Sequence, residues 1–434
     1  GEHADVTLVD HDRARLEAVT EHLDAGHLCG RVSSPKVLRL AGVAEADLVV
    51  AVTDLDEVNL LACQFAGLLA PGCTRVARVR DAGLQGHREL METGGLCLDA
   101  WISPRVEASH TMANLVKLPG ALEVEEFADG AVHLVASRLR KTSPLVGKTL
   151  IELRNGCEFA DLTVVAIERS GFLVPPVGKT VLKTDDVVFV MGVSKAADRL
   201  PDLAGHPDRR VKSVMIFGGG SLGLSLAERL LEEKMLVKVV ERDLARCHEL
   251  ADRLEGAVIL CGDCTDQDLL IEERIGHIDT FVACTRDDEE NILAALLATR
   301  LGVKHTIVRE NTQRYADLLA TIGIGASVSV SRTAVASILR YARRGAVRAA
   351  VPIGNLKAEA MELQAKETSK LVAKPIASLG LPKDLVIGAV VRDDQAILPT
   401  GDLQIQPDDW VVIFSPGRHL KSVQELVSVS LDFF

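Results

Sequence analysis

The chain has 434 residues, of which 47% are apolar, 25% are charged and only 3% are aromatic. This length predicts two to four domains, and the aliphatic excess suits strands that are buried on both faces of a parallel sheet. The formal net charge of −12 argues against a nucleic-acid-binding protein, because neutralising phosphates requires a concentrated basic surface. No apolar run is long enough to span a bilayer, and the polar start of the chain does not resemble a signal peptide. We therefore expect a cytoplasmic α/β protein of several domains.

The sequence contains a tandem duplication, because five segments of the first half recur in the second at slowly drifting offsets. The matching pairs, with their offsets, are 6–15 and 237–246 (231), 51–59 and 283–291 (232), 76–80 and 305–309 (229), 166–169 and 389–392 (223), and 185–188 and 408–411 (223). The drift indicates small loop deletions. Each half is predicted to contain a larger nucleotide-binding unit followed by a smaller unit.

The first larger unit is predicted over residues 1–118. It begins at what corresponds to the second strand of the fold, and by comparison with the second half a first strand and its glycine loop would need roughly 25–30 more residues. We therefore expect the native chain to be longer. The candidate nucleotide-binding residues of this unit follow the ends of its strands: Asp10, His11, Thr53 and Arg80.

The first smaller unit is predicted over residues 119–205. It has a Pro-Leu-Val-Gly-Lys turn with a short helix, followed by hairpin strands around Val164–Ile167 and Val187–Met191. This pattern indicates a small α+β module. The polar stretch Pro201–Arg210 carries two prolines and is predicted to link the two halves.

The second larger unit, predicted over residues 211–335, alternates short apolar strands with amphipathic helices. The predicted strands are Ser213–Phe217, Val237–Glu241, Ala257–Leu260, Thr280–Ala283 and His305–Val308, and the helices between them include Leu222–Glu232 and Glu290–Arg300. This alternation predicts βαβ units and a Rossmann-like, doubly wound parallel sheet. The fold class is therefore α/β, with two such domains alternating with two small α+β modules.

A glycine-rich loop between the first strand and helix of this unit is the strongest chemical signal in the chain. It has the pattern GxGxxG, and Glu241 with the adjacent Arg242 ends the next strand about twenty residues later, as a dinucleotide-binding fingerprint requires. The helix N-terminus would present unpaired N–H groups to phosphates, and Glu241 would bind ribose hydroxyls and repel a 2′-phosphate, which favours NAD over NADP. The candidate loop residues are Gly218, Gly219, Gly220, Ser221, Leu222 and Gly223.

Loops at the carboxyl ends of the other strands are expected to complete this pocket. Asp263 and Cys264 follow the third strand and suit the adenine side, Thr285 follows the fourth, and Arg309 ends the fifth, where it could meet a phosphate. The first half has Arg31 where the second has Asp263, so the two pockets should not recognise ligands identically.

The last smaller unit is predicted over residues 345–434. Four arginines, Arg340, Arg343, Arg344 and Arg348, precede it or lie at its start. They could face an acidic lipid or a partner, but a solvated helix face accounts for them more simply.

Beside neither pocket does the sequence show a nucleophile–base pair, paired acids or a metal-binding cluster. Nucleotide sites of this kind are typical of sensors, which convert ligand occupancy into a change of conformation. We therefore expect a protein that is not an enzyme.

Taken together, the domain order and motifs resemble the RCK/KTN regulators of Trk-type potassium uptake, in which each of two nucleotide-binding units is followed by a C-terminal module. The resemblance covers nearly the whole chain. The segments that carry it are 9–10, 48–53, 102–104, 218–223, 239–241, 262–267, 285–291 and 387–392.

The resemblance implies a ring in the cytoplasm, a homotetramer with eight nucleotide-binding folds, at the inner face of the membrane beneath a Trk-type membrane potassium translocator. It also implies NAD (NAD+ or NADH) as ligand, with ATP and ADP as competing or additional ligands. Two alternatives stay open. One is an NAD-dependent oxidoreductase with an unrecognised substrate domain; the other is an RCK-type regulator of a potassium/proton antiporter.

Overall fold

A computed structural model describes residues 5–21, 23–80, 98–156, 159–193, 195–206, 210–311, 319, 322–342, 347–354, 358–372 and 374–427. Arg343 and Arg344 of the predicted basic cluster lie outside these residues. The chain divides into two compact units, Gly1–Pro104 and Arg105–Phe434. No helix among the described residues is long and apolar enough to cross a membrane.

The described residues of the first compact unit form five strands in two parallel sheets. Its elements are β1 (Thr7–Asp10), α1 (Arg13–Thr20), β2 (Gly26–Cys29), α2 (Pro35–Leu40), β3 (Leu48–Ala51), α3 (Asp56–Leu69), β4 (Thr74–Arg78) and β5 (Ala100–Ile102). One sheet pairs β1 with β2, and the other has the order β3-β4-β5. Asp12 caps the N-terminus of helix α1, where its carboxylate accepts from the backbone N–H groups of Ala14 and Arg15 and so satisfies two of the helix's free donors.

The second compact unit begins with a long helix and an antiparallel module. Its first elements are α4 (Pro104–Lys117, of which all but Pro104 belong to this unit), β6 (Ala121–Phe127), β7 (Val132–Arg138), α5 (Leu150–Asn155), β8 (Leu162–Arg169), β9 (Phe172–Val174), β10 (Val187–Val193) and α6 (Leu200–Leu203). The sheet order is β6-β7-β10-β8-β9. Part of the stretch predicted as a polar linker is helical, since α6 extends to Leu203, and Pro201 is buried in this helix.

The second nucleotide-binding fold follows, and its described residues form six strands that are all parallel. Its elements are β11 (Ser213–Phe217), α7 (Ser221–Glu232), β12 (Leu236–Glu241), α8 (Leu244–Arg253), β13 (Val258–Cys261), α9 (Gln267–Glu272), β14 (Thr280–Ala283), α10 (Asp288–Arg300), β15 (His305–Glu310) and β16 (Ala326–Ser329). The order β13-β12-β11-β14-β15-β16 reverses direction between β11 and β14, which confirms the predicted doubly wound sheet. Strand β16 was not predicted.

A second antiparallel module ends the described chain. Its elements are α11 (Val330–Ala342), β17 (Val347–Ile353), β18 (Ala358–Gln364), β19 (Val386–Arg392), β20 (Gln395–Ile397), β21 (Trp410–Pro416) and α12 (Leu420–Val427). The order β17-β18-β21-β19-β20 repeats that of the first module. A two-pronged ion pair recurs at the predicted offset of 223: Arg169 binds buried Asp186 and Arg392 binds buried Asp409. The structure therefore confirms the duplication of this module.

The two antiparallel modules pack against each other through apolar side chains. Phe127, Phe189 and Met191 of the first module share one buried cluster with Ala389 and Phe414 of the second. Burial of this area supplies the main favourable free energy of the contact, because apolar surface is removed from water.

Candidate nucleotide-binding site

The glycine loop between β11 and α7 has the geometry that its sequence predicts. Gly218 has a φ of +101°, and its backbone N–H donates to the carbonyl oxygen of Val240 at 2.9 Å. A Cβ atom on Gly223 would lie 1.9 Å from the carbonyl oxygen of Gly218, so only glycine allows this approach of helix to loop. A Cβ on Gly220 would meet no atom within 4 Å. The loop therefore leaves open space in front of the N-terminus of α7, where an anion is favoured.

The carboxylate of Glu241 is fixed against this loop by backbone donors. Its Oε2 accepts from the N–H of Gly219 at 2.8 Å, and its Oε1 accepts from those of Arg242 at 2.8 Å and Asp243 at 3.1 Å. A carboxylate oxygen can accept more than one hydrogen bond, so Glu241 keeps capacity for the hydroxyls of a ribose.

Asn291, on α10, joins the ends of β14 and β15 at the edge of the pocket. Its Oδ1 accepts from the backbone N–H and the hydroxyl of Thr285, both at 2.9 Å. Its Nδ2 donates to the carbonyl oxygens of Thr285 and Arg309, both at 3.2 Å. Because Asn291 is fully buried, these bonds fix the two loops relative to each other.

The guanidinium of Arg309 lies at this edge, and one of its N–H donors has no hydrogen-bond partner among the described residues. Its Nη2 donates to Oδ1 of Asn311 at 2.8 Å, whereas its buried Nε has no hydrogen-bond partner among the described residues. Burial lowers the pKa of Arg309, because the surrounding protein solvates its charge poorly. A guanidinium at this edge suits a phosphate oxygen, because it can donate charged hydrogen bonds.

These loops enclose a cavity of about 230 Å³ at the carboxyl edge of the sheet. Eight of the predicted residues line it: Gly218, Gly220, Ser221, Leu222, Glu241, Arg242, Thr285 and Arg309. Five others also line it: Arg105, Phe217, Val240, Cys284 and Arg286. Among these, Arg286 follows Thr285 directly and could have been inferred from the loop that contains it. Arg105 has no such signal, since it lies more than a hundred residues before the glycine loop.

The structure does not bring Asp263 and Cys264 to the cavity wall. Oδ2 of Asp263 lies 3.4 Å from Nη1 of Arg242, so it reaches the pocket only through that arginine, which also pairs with Glu290. The side chain of Cys264 is completely buried in the apolar core, and this burial raises the pKa of its thiol. The side chain of Cys264 therefore turns inward and does not line the cavity, and the role of the Asp263–Cys264 loop on the adenine side stays a prediction.

In the first compact unit, the predicted acid lies at the end of β1. Oδ1 of Asp10 accepts from the backbone N–H of Asp12 at 2.9 Å and lies 3.1 Å from Nδ1 of His11. The side chain of His11 is 77% exposed. Both residues therefore occupy the positions that Glu241 and Arg242 occupy in the second fold.

The hydrogen bonds at the end of β4 correct one of the residue matches between the two halves of the sequence. Asn59 accepts from the N–H and hydroxyl of Thr53 and donates to the carbonyl oxygen of Arg78 at 2.9 Å, as Asn291 does with Arg309. The counterpart of Arg309 is therefore Arg78, and the match to Arg80 was wrong by two residues. Like that of Arg309, the buried Nε of Arg78 has no hydrogen-bond partner among the described residues.

Arg80 instead closes the loop above α3. Its backbone N–H donates to Oδ2 of Asp56 at 2.7 Å, and its Nε lies 3.5 Å from Oδ1 of the same residue. In the second fold the backbone N–H of Asn311 makes the equivalent bond to Asp288. Sequence matching missed Arg78 because two arginines stand two positions apart at the end of this strand.

Comparisons with known proteins agree with this arrangement. The TrkA-N domain model matches residues 1–104 and 214–331, and the TrkA-C domain model matches residues 134–205 and 360–428. The chain is 35% identical to the Trk system potassium uptake protein TrkA of Vibrio alginolyticus and 36% identical to that of Halomonas elongata. In both cases the match covers 100% of this chain and 95% of the relative.

The fold is also that of a solved RCK domain. The RCK domain of GsuK aligns with a TM-score of 0.59 at 18% identity, over 97% of this chain and 89% of that one. A GsuK channel bound to NAD aligns with a TM-score of 0.59 at 18% identity, over 98% of this chain and 75% of that one. At this identity the likeness concerns the fold. The full-length relatives and the tandem TrkA-N and TrkA-C matches show that the chain belongs to the TrkA family of Trk system potassium uptake proteins.

Proposed function

We propose that this chain is a nucleotide-sensing regulatory subunit of a Trk-type potassium uptake system and performs no catalytic turnover. The observation that carries the proposal is the cavity between the glycine loop, Glu241 and Arg309, at the carboxyl edge of a doubly wound sheet. Its relatives are named as Trk system potassium uptake proteins, which supports a role in transport for the same fold.

The proposed ligand of the second pocket is NAD, with ATP and ADP as competing ligands. The open space at Gly220 and the N–H groups at the start of α7 suit a diphosphate, and Glu241 suits an unphosphorylated ribose. The NAD-bound GsuK channel supports NAD as the first nucleotide to test. In the first unit, we propose that Asp10, His11, Thr53, Arg80 and the newly identified Arg78 contribute to a related pocket.

Ligand occupancy can regulate transport only if the protein contacts a membrane partner and changes shape. We propose that the partner is a Trk-type potassium translocator. We further propose that the regulator is a cytoplasmic homotetramer, peripheral to the membrane, and that each of its chains is built of the four predicted domains.

The test of ligand binding is calorimetric titration of the full chain with NAD+, NADH, ATP and ADP, repeated for Gly220→Asp. The structure leaves room for a Cβ atom at this position, so the variant should fold, and its carboxylate would repel the diphosphate. We expect binding by the unaltered protein and loss of the second-pocket component in the variant. Absence of binding by the unaltered protein would contradict the proposal.

The test of the partner is co-purification with a Trk translocator from membranes, with potassium uptake measured in cells that lack and then regain this chain. We expect a particle with four times the 46.6 kDa mass of one chain and uptake that depends on its presence. Recovery of only a potassium/proton antiporter would contradict the choice of partner.

A further inference from the structure

Two cysteine thiols lie next to each other beside the end of β12. Cys247 is near the start of helix α8, and its Sγ lies 3.4 Å from the carbonyl oxygen of Glu241. Cys261 ends β13, where it is the register partner of Glu241, and its Sγ lies 3.9 Å from the carbonyl oxygen of Arg242. The two thiols therefore donate to consecutive backbone carbonyls, on the segment that leads from β12 into α8.

One thiol of this pair is accessible and the other is not. Cys261 is exposed, whereas Cys247 is only 6% exposed. Burial raises the pKa of the Cys247 thiol to about 11, and the hydrogen bond and the charge of the Cys261 thiol act in the same direction. An effect through a hydrogen bond requires the two sulfur atoms to be neighbours, so rotation of the side chains can bring them to bonding distance.

The cysteine that is nearest in the sequence is not the partner of Cys261. Cys264 follows three residues later, which is the CxxC spacing of many redox pairs, but its side chain is completely buried in the apolar core. The groups that act on its thiol are Asp263 and Cys284. The fold therefore pairs Cys261 with Cys247, from strand to helix.

The first compact unit has the exposed thiol without this partner. Cys29 ends β2 as Cys261 ends β13, and its Sγ lies 3.6 Å from the carbonyl oxygen of His11. At the offset of 231 that relates these parts of the two halves, Cys247 corresponds to Leu16, which is buried in α1. Among its described residues, the first unit therefore has no counterpart of the cysteine pair.

We propose that Cys247 and Cys261 are a redox-active dithiol, which hydrogen peroxide oxidises to a disulfide that weakens nucleotide binding in the second pocket. First, the thiolate of Cys261 attacks one peroxide oxygen. The O–O bond breaks, the sulfur becomes a sulfenic acid, and the released hydroxide takes up a proton to give water.

In the second step the thiolate of Cys247 attacks the sulfur of this sulfenic acid. The S–S bond forms, the S–O bond breaks, and the departing hydroxide takes up the proton that Cys247 lost, which gives a second water. The two sulfur atoms together lose two electrons, which reduce the peroxide. The exposed Cys261 reacts first because the oxidant reaches it directly.

The disulfide acts on the pocket through the backbone of Glu241 and Arg242. Oxidation removes both S–H donors from the carbonyls of these residues and draws Cys247 and Cys261 together. The carboxylate of Glu241 is held by backbone N–H groups that include those of Gly219 and Arg242, so a shift of this segment moves the group proposed to bind the ribose. This effect rests on the nucleotide binding proposed above, whereas formation of the disulfide does not.

The experiment treats the reduced full chain with hydrogen peroxide and locates disulfides by mass spectrometry of its peptides, before and after dithiothreitol. We expect a reversible disulfide between Cys247 and Cys261. Neither Cys261→Ser nor Cys247→Leu should form it, and the leucine is the residue that the duplicated helix has at this position. Cys29→Ser, which removes another exposed thiol, is the control and should form the disulfide as the unaltered protein does.

Calorimetric titration of the reduced and the oxidised protein with NAD+ gives the second readout. We expect the oxidised protein to bind about threefold to tenfold more weakly, the effect of disturbing one hydrogen-bonded contact, and dithiothreitol to restore the affinity. Peroxide should leave the affinity of Cys247→Leu unchanged, because the disulfide cannot form.

Three outcomes would overturn the inference in whole or in part. Oxidation of Cys261 that leaves Cys247 as a free thiol, or a disulfide from Cys261 to Cys264, would refute the pairing. A disulfide that forms without any change in NAD+ affinity would refute the effect on the pocket. Absence of nucleotide binding by the reduced protein would contradict both the proposed function and this effect, and disulfide mapping would still decide whether the dithiol is redox-active.

Discussion

The carbonyl oxygen of Gly218 lies 1.9 Å from the position that a Cβ atom on Gly223 would take, although the two residues belong to the loop and the helix on either side of the phosphate position. This approach brings the first turn of α7 against the end of β11. The two glycines therefore have different roles. Gly223 is needed for close packing of the helix against the loop, whereas a Cβ atom on Gly220 would meet open space.

Substitution of Gly223 by alanine should therefore destabilise the second fold. The added methyl meets backbone that cannot move away by a rotamer change, so we expect a loss of about 1–3 kcal/mol in the free energy of unfolding. Gly220→Ala is the control, and its free energy of unfolding should change by less than about 0.5 kcal/mol. Chemical denaturation measures both; equal stability of the two variants would contradict the prediction.

Arg309→Met should weaken nucleotide binding without weakening the fold. We expect affinity to fall about tenfold or more, because a charged donor to phosphate is lost. The free energy of unfolding should stay the same or rise, since the substitution removes a buried Nε that has no partner among the described residues. Calorimetry and thermal unfolding of the same preparation test both parts, and a clear loss of stability would show that Arg309 is structural.

Asn291→Ala should destabilise the second nucleotide-binding fold by about 2–4 kcal/mol, because it leaves partly buried backbone groups of Thr285 and Arg309 unpaired. Asn59→Ala should have an effect of similar size in the first compact unit, where the same four bonds recur. Leu293→Ala, at an exposed position of the same helix α10, is the control. Hydrogen exchange of individual amides shows which unit each variant destabilises. Faster exchange in both units in Asn291→Ala or in Asn59→Ala would contradict the prediction that each asparagine stabilises only its own unit.

Glu241→Gln should change the choice of dinucleotide. Removing the negative charge abolishes repulsion of a 2′-phosphate, so the affinity for NADP should rise relative to that for NAD, while the affinity for NAD itself falls. Competition titration of the two dinucleotides measures the ratio. A ratio that stays constant would mean that Glu241 serves only to hold the N–H of Gly219.

Acid should destabilise the protein through His305. Burial lowers the pKa of His305 to about 4, with the positive charges of His206 and Arg140 acting in the same direction. The unfolded chain takes up a proton near pH 6.5, whereas the folded protein excludes it until about pH 4. The free energy of unfolding should therefore fall as pH falls from 6.5 to 4, by linkage.

His305→Gln should make this acid dependence shallower, as followed by urea denaturation at several pH values. His133 provides a contrast of opposite sign. Its hydrogen bond to Asp198 at 2.8 Å raises the pKa of His133, so its contribution is complete below pH 6.5 and is lost as pH rises through the raised pKa. His133→Gln should leave the acid-side dependence unchanged; if it removed that dependence, the role of His305 would be disproved.

The sequence by itself determined the fold class and the phosphate loop. The patterns that predict the strands and helices are local in the sequence. The spacing of Gly218, Gly220 and Gly223 before Glu241 predicts a tight turn, close approach of the backbone to a diphosphate and close packing of helix against strand. Five strands of the second sheet were predicted to within two residues of their ends. The last strand, β16, was missed because Ala326–Ser329 is only four residues long and has a single β-branched residue, so its pairing with β15 defines it as a strand.

The tertiary structure decided which side chains meet. Two arginines near the end of β4 are equivalent by sequence, and the hydrogen bond from Asn59 selects Arg78. Cys264 was expected at the cavity and lies in the core, because the direction of one side chain at a turn depends on what packs beneath it. Arg105 reaches the pocket from 116 residues before Ser221, since α4 buries its apolar face against α7 and so fixes the register of the two helices. Local sequence patterns predict neither the register of two packed helices nor which distant residues come into contact. Both depend on the burial of apolar surfaces from segments that are far apart in the chain.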